Sequence, residues 1–272
     1  MDLLFRFGAF LSVFLAMSVW ELLRPRRRLA QTRRERWSTN LGLTALDSFL
    51  VWITVGGVSY AMAQAAAEQG MGLLPWLAFP GWAAAIVTLL VLDFTVYVQH
   101  ILFHAVPLLW RLHRVHHADL DLDATTGLRF HPIEIFLSLG LKAAVIVLLG
   151  ATPWAVVAFE ALLNASSVFN HSNVAIPTRR DRWLRWVLVT PDMHRIHHSP
   201  QAVETNSNFG FSVSWWDRLC GTYRVESALG PENQEIGLRE YPEPLNLGQL
   251  LVLPFRGDAG RYPFAGVRPV HT

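Results

Sequence analysis

The chain has 272 residues, of which 52% are hydrophobic and 16% are charged, and its formal net charge is +2. Its mean hydropathy of +0.28 indicates a membrane protein. The small net charge argues against a nucleic-acid-binding protein. The single cysteine, Cys220, excludes an intramolecular disulfide and a cysteine-ligated iron–sulfur cluster.

Apolar stretches recur along the first two thirds of the chain. A helix needs about 20 mainly apolar residues to cross the hydrocarbon region of a bilayer. Stretches of this kind predict transmembrane helices over residues 3–23, 41–62, 82–98, 133–149 and 154–169. The sequence therefore predicts an all-α fold with a single membrane-embedded domain over residues 1–272, in which a helical bundle carries a cytoplasmic histidine-rich cap formed by residues 100–131 and 171–272.

The segment after the first predicted span, RPRRRLAQTRRER, contains seven arginines and one glutamate. By the positive-inside rule such a loop lies in the cytoplasm. The charges follow the apolar run, whereas a cleaved signal peptide carries them before it, so we expect the first span to be retained. Counting spans from this loop places both parts of the cap on the cytoplasmic face, and a bacterial inner membrane is the expected location.

Ten of the eleven histidines lie between residues 100 and 198, and the other is His271. The segment QHILFH places His100 and His104 at i and i+4, and the spacing H-x-x-H-H occurs twice, in WRLHRVHHAD and in TPDMHRIHHSP. On a helix, residues three and four apart are neighbours on one face, so we expect each cluster to direct its imidazoles to one side. Single histidines follow at His131 and His171.

This concentration of imidazoles is typical of a metal site, because neutral imidazole binds iron, zinc, copper and nickel. Nine or ten histidines exceed the four ligands of one tetrahedral site, so the sequence predicts two metal ions. It contains no H-E-x-x-H metalloprotease motif and no Glu-x-x-His pair of the kind that soluble di-iron bundles use. An all-histidine site remains.

The histidine segments, together with DFTVYVQHILFH, RFHPIE, NHSN and TNSNFGFSVSWWDRLCGTY, resemble those of the fatty acid hydroxylase/sterol desaturase superfamily of integral-membrane di-iron enzymes. The resemblance extends from about Asp93 to Tyr223. It implies a non-haem di-iron centre that uses O₂ to hydroxylate or desaturate a C–H bond of a lipid or sterol-like substrate, with zinc as an expected substitute metal. The metal ligands that it implies are His100, His104, His113, His116, His117, His171, His194, His197 and His198.

Two aspects of the ligand shell stay open in the sequence. Some relatives have a further histidine at the position of Ser167, and His131 is either a tenth ligand in its place or a support for one. Ligating histidines need a partner for the second ring nitrogen. Asp93, two helical turns before His100, and Asp192, just before the second H-x-x-H-H motif, are the candidates for this role, although Asp93 also suits an interhelical contact and Asp192 a helix N-cap.

The sequence has no C-x-x-C-H haem-attachment motif and no G-x-G-x-x-G nucleotide fingerprint. We therefore expect electrons to come from a separate protein, such as a ferredoxin, cytochrome b5 or a reductase. The alternatives are a membrane metal-binding or metal-transport protein without oxidase chemistry, or a structural protein whose site has lost activity. Transporters place their ligands near the middle of the bilayer, whereas these histidines collect at one edge, which favours the enzyme.

Overall fold

The computed structural model describes residues 2–257, with side chains from Phe7 onward, so His271 lies outside the described residues. No β-strand forms within this range, where the extended contacts are two isolated bridges, Pro25 with Val174 and Leu188 with Val213. The predicted all-α fold is thereby confirmed.

The described residues form fourteen α-helices. Two 3₁₀ turns occur at Thr126–Leu128 and Leu253–Phe255. The α-helices are α1 (Asp2–Leu23), α2 (Arg33–Thr54), α3 (Val58–Glu68), α4 (Leu73–Trp76), α5 (Gly81–Ala105), α6 (Pro107–His117), α7 (Pro132–Leu149), α8 (Pro153–His171), α9 (Thr178–Leu184), α10 (Pro191–His197), α11 (Ala202–Thr205), α12 (Trp215–Leu219), α13 (Gly230–Asn233) and α14 (Leu247–Val252).

Three helical segments in the described chain are long and apolar enough to cross a membrane, namely Arg33–Trp76, Gly81–Ala105 and Pro132–Leu149. A shorter apolar helix runs over Phe7–Leu23. The bundle is held together by a buried cluster of aliphatic and aromatic side chains to which α3, α5, α7 and α8 contribute. Burial of apolar side chains between these helices fixes their relative positions and therefore the ends at which the histidines lie.

The predicted span over residues 41–62 is divided between α2 and α3. Helix α2 ends at Thr54, and the chain turns through Gly56 and Gly57 before α3 begins. Gly57 has a φ of +72°, in the left-handed region that favours glycine. Hydropathy did not reveal this break, because both sides of the turn are apolar.

The turn between α7 and α8 brings two loops into contact. Gly150 ends α7 with a φ of +66°, and Pro153 occupies the first turn of α8, where a missing N–H costs nothing. A Cβ on Gly150 would come within 2.2 Å of the carbonyl oxygen of Met71. Glycine is therefore required for the loop before α4 to pack against this turn.

A buried ion network joins the start of α2 to the loop that follows α6. The Arg36 side chain donates to Asp119 through Nε at 3.1 Å and Nη2 at 2.9 Å, and it also binds Asp123. Nη2 further donates to Thr126 Oγ1 at 2.8 Å. Each of these residues is at most 2% exposed. The network fixes the loop of residues 118–130, which continues directly from the histidines of α6.

Other parts of the basic segment also bind the cap. Arg26 Nε lies 3.1 Å from Asp192 Oδ2, and Arg27 Nη1 donates to the carbonyl oxygen of Gln234 at 2.5 Å. The segment predicted as a topology signal is therefore also a structural element, because its side chains connect α1 and α2 to the region around α10.

We expect Arg36→Gln to destabilise the protein by about 3–5 kcal/mol, because removing one partner of a buried ion pair leaves uncompensated charge. The exposed Arg34→Gln is the matched control and should stay within about 0.5 kcal/mol of the parent protein. Denaturant unfolding in detergent, followed by circular dichroism, measures both changes. Equal stability of the two variants would show that the network contributes nothing.

Candidate metal centre

Nine histidines converge where the ends of four helices meet. All nine are buried, with at most 6% of each residue exposed. Helix α5 carries His100 and His104, α6 carries His113, His116 and His117, α8 ends at His171, and α10 carries His194 and His197 and is followed by His198.

The nine residues form two adjacent groups. Within each group, one ring nitrogen of every residue lies within 4.8 Å of those of all the others. The groups adjoin, since the ring centroids of His117 and His198 are 4.5 Å apart. The first group is His100, His104, His113, His117 and His197, and the second is His116, His171, His194 and His198.

Each H-x-x-H-H motif contributes to both groups, so the single direction expected for each cluster is wrong. In the first motif, His113 and His117 belong to one group and His116 belongs to the other. In the second motif, His194 and His198 belong to the second group, and His197 belongs to the first. Residues i and i+4 lie nearly above each other on a helix, whereas i+3 is rotated away. The spacing therefore sets two sites side by side.

Five of the imidazoles have a fixed Nδ1. In each case an oxygen lies 2.7–3.2 Å from Nδ1 and accepts its hydrogen, which leaves Nε2 with a lone pair for ligation. The pairs are His100 with the Phe209 carbonyl, His113 with the Glu134 carboxylate, His116 with the Arg129 carbonyl, His171 with the Ser167 carbonyl, and His197 with the Ser207 carbonyl.

The Nε2 atoms opposite these acceptors need a cation. His116 Nε2 and His171 Nε2 are 3.0 Å apart. Because carbonyl acceptors hold the hydrogens of both rings on Nδ1, two lone pairs face each other, which is unfavourable unless a cation lies between them. In the first group, Nε2 is buried without a hydrogen-bond partner among residues 2–257 for His100, His113, His117 and His197. The donor set therefore fits a metal in each group.

Burial also keeps the imidazoles in the form that binds a metal. Desolvation lowers the pKa of His113 to about 3. Desolvation, reinforced by neighbouring imidazoles, holds the pKa of His117 and of His198 well below the ordinary value. These rings are neutral at neutral pH, so a metal does not have to displace their protons.

His131 lies outside both groups. It is the N-cap of α7, where its Nδ1 accepts a hydrogen bond from the Ile133 amide at 3.2 Å. Its Nε2 lies 3.2 Å from the carbonyl oxygen of Leu251. One ring nitrogen therefore caps α7, and the other attaches α7 to the segment around α14.

The two aspartates predicted as histidine partners bind other groups. Asp93 Oδ2 accepts a hydrogen bond from Trp216 Nε1 at 2.8 Å. Asp192 pairs with Arg26 and lies 3.6 Å from Arg195 Nε. Asp93 thus connects α5 to α12, and Asp192 connects α10 to the basic segment after α1.

Sequence reasoning assigned no role to Glu134 or to the carbonyl acceptors. Glu134 lies in the RFHPIE segment, three residues after His131. A carboxylate so close to a histidine was the sequence feature that could have indicated its role as a histidine partner. The carbonyls carry no sequence signal, because every residue has one. Ser167 is not a histidine, and its carbonyl oxygen orients the His171 ring.

A cavity of about 320 Å³ adjoins the histidines between α2, α5, α7 and α8. Three of its lining residues touch the ligand shell. Phe130 stacks on His116 with ring centroids 4.6 Å apart, while Glu134 and Ser167 accept from His113 and His171. The cavity therefore connects the membrane-embedded helices to the metal centre.

The fold and site define a class, an integral-membrane helical protein with a buried polyhistidine centre. The fatty acid hydroxylase family model matches residues 85–222, half of the chain, and the chain belongs to this family. That span includes all nine grouped histidines. The resemblance drawn from the motifs is thereby confirmed.

Several characterised proteins are similar to this chain. Ornithine lipid hydroxylase OlsE of Rhizobium tropici is 29% identical over 99% of this chain and 81% of its own length. Alkylglycerol monooxygenase of Xenopus tropicalis is 30% identical over 56% of this chain and 32% of its own length. Human cholesterol 25-hydroxylase is 32% identical over 51% of this chain and 50% of its own length. The chain thus spans about a third of the length of this alkylglycerol monooxygenase and half of the length of cholesterol 25-hydroxylase. No solved structure matches it significantly.

We expect the metal-free protein to lose stability as the pH falls below about 6.5, the ordinary pKa of histidine. The unfolded chain takes up protons there, whereas native imidazoles stay neutral, as the pKa of about 3 for His113 indicates. Stability is therefore greatest above this pH and declines below it. The free energy of unfolding, measured between about pH 8 and pH 5, tests this. A flat profile would contradict it.

Proposed function

We propose that the protein is a non-haem di-iron oxidoreductase that uses O₂ to hydroxylate a C–H bond of a membrane lipid. The observation that carries this proposal is the pair of adjacent histidine groups beside a membrane-embedded cavity. Membership of the fatty acid hydroxylase family, together with relatives named hydroxylases and monooxygenases, supports an oxidoreductase that acts on lipids.

The proposed ligands of the two iron ions are the nine grouped histidines, five for one ion and four for the other. The iron, when bound, supplies O₂ activation and the oxidising power needed for an unactivated C–H bond. Zinc accepts the same nitrogen ligands and is the expected contaminant. His131 is assigned a capping role on α7, because both of its ring nitrogens are engaged there.

The chain's own residues would orient the ligands and the substrate. The Nδ1 acceptors fix the tautomer and plane of each ring, and the Glu134 carboxylate raises the basicity of His113. The apolar part of the cavity, including Val51, Leu139 and Leu163, suits a hydrocarbon chain that enters from the bilayer. Phe130 lies against His116 and also lines the cavity, so it can position that chain beside the second group.

The substrate and electron donor follow from the relatives and from the missing cofactor motifs. The relatives are named for ornithine lipid, alkylglycerol and cholesterol, so we propose a polar lipid or sterol-like substrate and favour hydroxylation over desaturation. Electrons would come from a ferredoxin, cytochrome b5 or a reductase. The basic segment between α1 and α2 supports a cytoplasmic site by the positive-inside rule.

Elemental analysis of the protein purified from its own host should give two iron ions per chain. The reason is that the nine histidines form two groups, each with four or five ring nitrogens close enough together to bind one ion. Replacement of iron by zinc after overexpression would leave the total at two. A total of one metal ion or none would contradict the di-iron assignment.

Removing a grouped histidine should abolish product formation. His116→Ala, His194→Ala and His197→Ala should each lower activity by more than the roughly 10–100-fold cost of losing an outer partner. His131→Asn is the matched control, since asparagine also caps helices, and it should retain both metals and most of the activity. Lipid mass spectrometry and metal analysis on membranes with equal protein content measure the effects. Full activity in any of the three alanine variants would remove that histidine from the site.

A further inference from the structure

Three acceptor oxygens that line the cavity have no hydrogen-bond donor among the described residues. They are Asp47 Oδ1, Gln99 Oε1 and Glu134 Oε2. Asp47 is 7% exposed and Glu134 is 3% exposed, so water does not solvate their side chains freely. A buried acceptor without a donor costs about 1–3 kcal/mol, and more when it is charged. The cavity therefore presents three buried acceptors to a ligand that carries donors.

Two of these oxygens belong to acidic side chains that influence each other electrostatically. Asp47 on α2 and Glu134 on α7 lie close enough for a direct electrostatic interaction. The second oxygen of Glu134 already accepts from His113 at 2.7 Å, so Oε2 is the oxygen available to a ligand. Acidic groups inside membrane-spanning segments are costly and mark ligand sites.

Lys142 is the basic residue among those that line the cavity. Lys142 is on the same helix as Glu134 but eight residues further along, which corresponds to about 12 Å of helix rise. The electrostatic influence on Asp47 comes from Glu134. A ligand that brings its own positive charge is therefore the partner that this end of the cavity favours.

We propose that the cavity binds a lipid through a protonated amine, which donates to Asp47, Gln99 and Glu134 while the hydrocarbon part occupies the apolar wall. This inference rests on the proposed function and narrows its substrate class to aminolipids. An ammonium group has three N–H donors for the three acceptors and neutralises carboxylate charge. A hydroxyl group has one donor and no charge, and a quaternary ammonium has charge but no donor, so both match the site less well.

Binding of three amphiphiles with the same chain length tests the proposal without turnover. The probes are dodecylammonium, dodecanol and dodecyltrimethylammonium, titrated into the metal-loaded protein in lipid nanodiscs. A charge-assisted hydrogen bond is worth enough to change affinity about tenfold or more. Dodecylammonium should therefore bind at least about tenfold more tightly than either of the other probes. Equal affinity for the three probes would overturn the proposal.

Substitution then assigns the preference to residues. Asp47→Asn keeps the size of the side chain and should remove most of the preference for dodecylammonium while the affinity for dodecanol changes less than about twofold. Glu68→Gln, an exposed carboxylate on α3, is the matched control and should keep the preference. A preference that survives Asp47→Asn would overturn the assignment. The comparison of probes on the parent protein decides the proposal even if Asp47→Asn fails to fold.

Product analysis separates this inference from the proposed function. The metal-loaded protein, an electron source and O₂ are supplied with an aminolipid and with the matching lipid in which a hydroxyl replaces the amine. Faster oxidation of the aminolipid supports both conclusions. Equal oxidation of the two lipids overturns the inference and leaves the proposed function intact. Oxidation of neither, together with selective binding of dodecylammonium, overturns the proposed function while the amine site stands.

Discussion

The arrangement depends on one constraint: buried imidazoles must present unprotonated Nε2 atoms to a common point. Desolvation removes their positive charge, and an acceptor on Nδ1 decides which nitrogen keeps the hydrogen. The two Nε2 lone pairs of His116 and His171 then face each other at 3.0 Å, an arrangement that is costly without a cation. The surrounding helices have to supply enough packing energy to hold it, because the centre itself does not favour the folded chain until metal is present.

The acceptors explain why distant segments pack on the histidine helices. The carbonyls of Arg129, Ser167 and Phe209 come from three different parts of the chain, and each must lie within hydrogen-bonding distance of one ring. The loop that carries Arg129 is itself fixed, because Arg129 donates to Asn40 on α2 at 2.9 Å and Arg36 binds Asp119. The residues that follow α1 therefore influence the orientation of the ligands.

Local patterns predicted the helical fold, the convergence of the histidines and the family, because hydropathy and H-x-x-H-H spacing are properties of contiguous sequence. The break at Gly57 escaped a hydropathy argument, since both flanks are apolar. Each H-x-x-H-H motif is divided between the two groups, and His113 pairs with Glu134. Both features depend on how the helices meet in three dimensions, which local sequence does not reveal. Asp93 shows the same limit: its helical register suits His100, yet Trp216 lies nearer and donates to it.

The buried carboxylates of the cap and of the cavity differ in their hydrogen-bond partners. In the cap, Asp119 has two bonds from Arg36, and further donors from Asn40 and Thr126. In the cap, the chain therefore supplies enough hydrogen-bond donors to satisfy the buried carboxylate of Asp119. Asp47 Oδ1 has no such donor, although it lies on the same helix as Arg36 and Asn40. A ligand that donates a hydrogen bond to this oxygen would stabilise the occupied protein relative to the empty one. The metal centre is similar, since the Nε2 lone pairs of its buried imidazoles also favour a cation. Both sites thus favour occupancy over the empty state, the histidine groups by a metal and the adjoining carboxylates by a lipid amine.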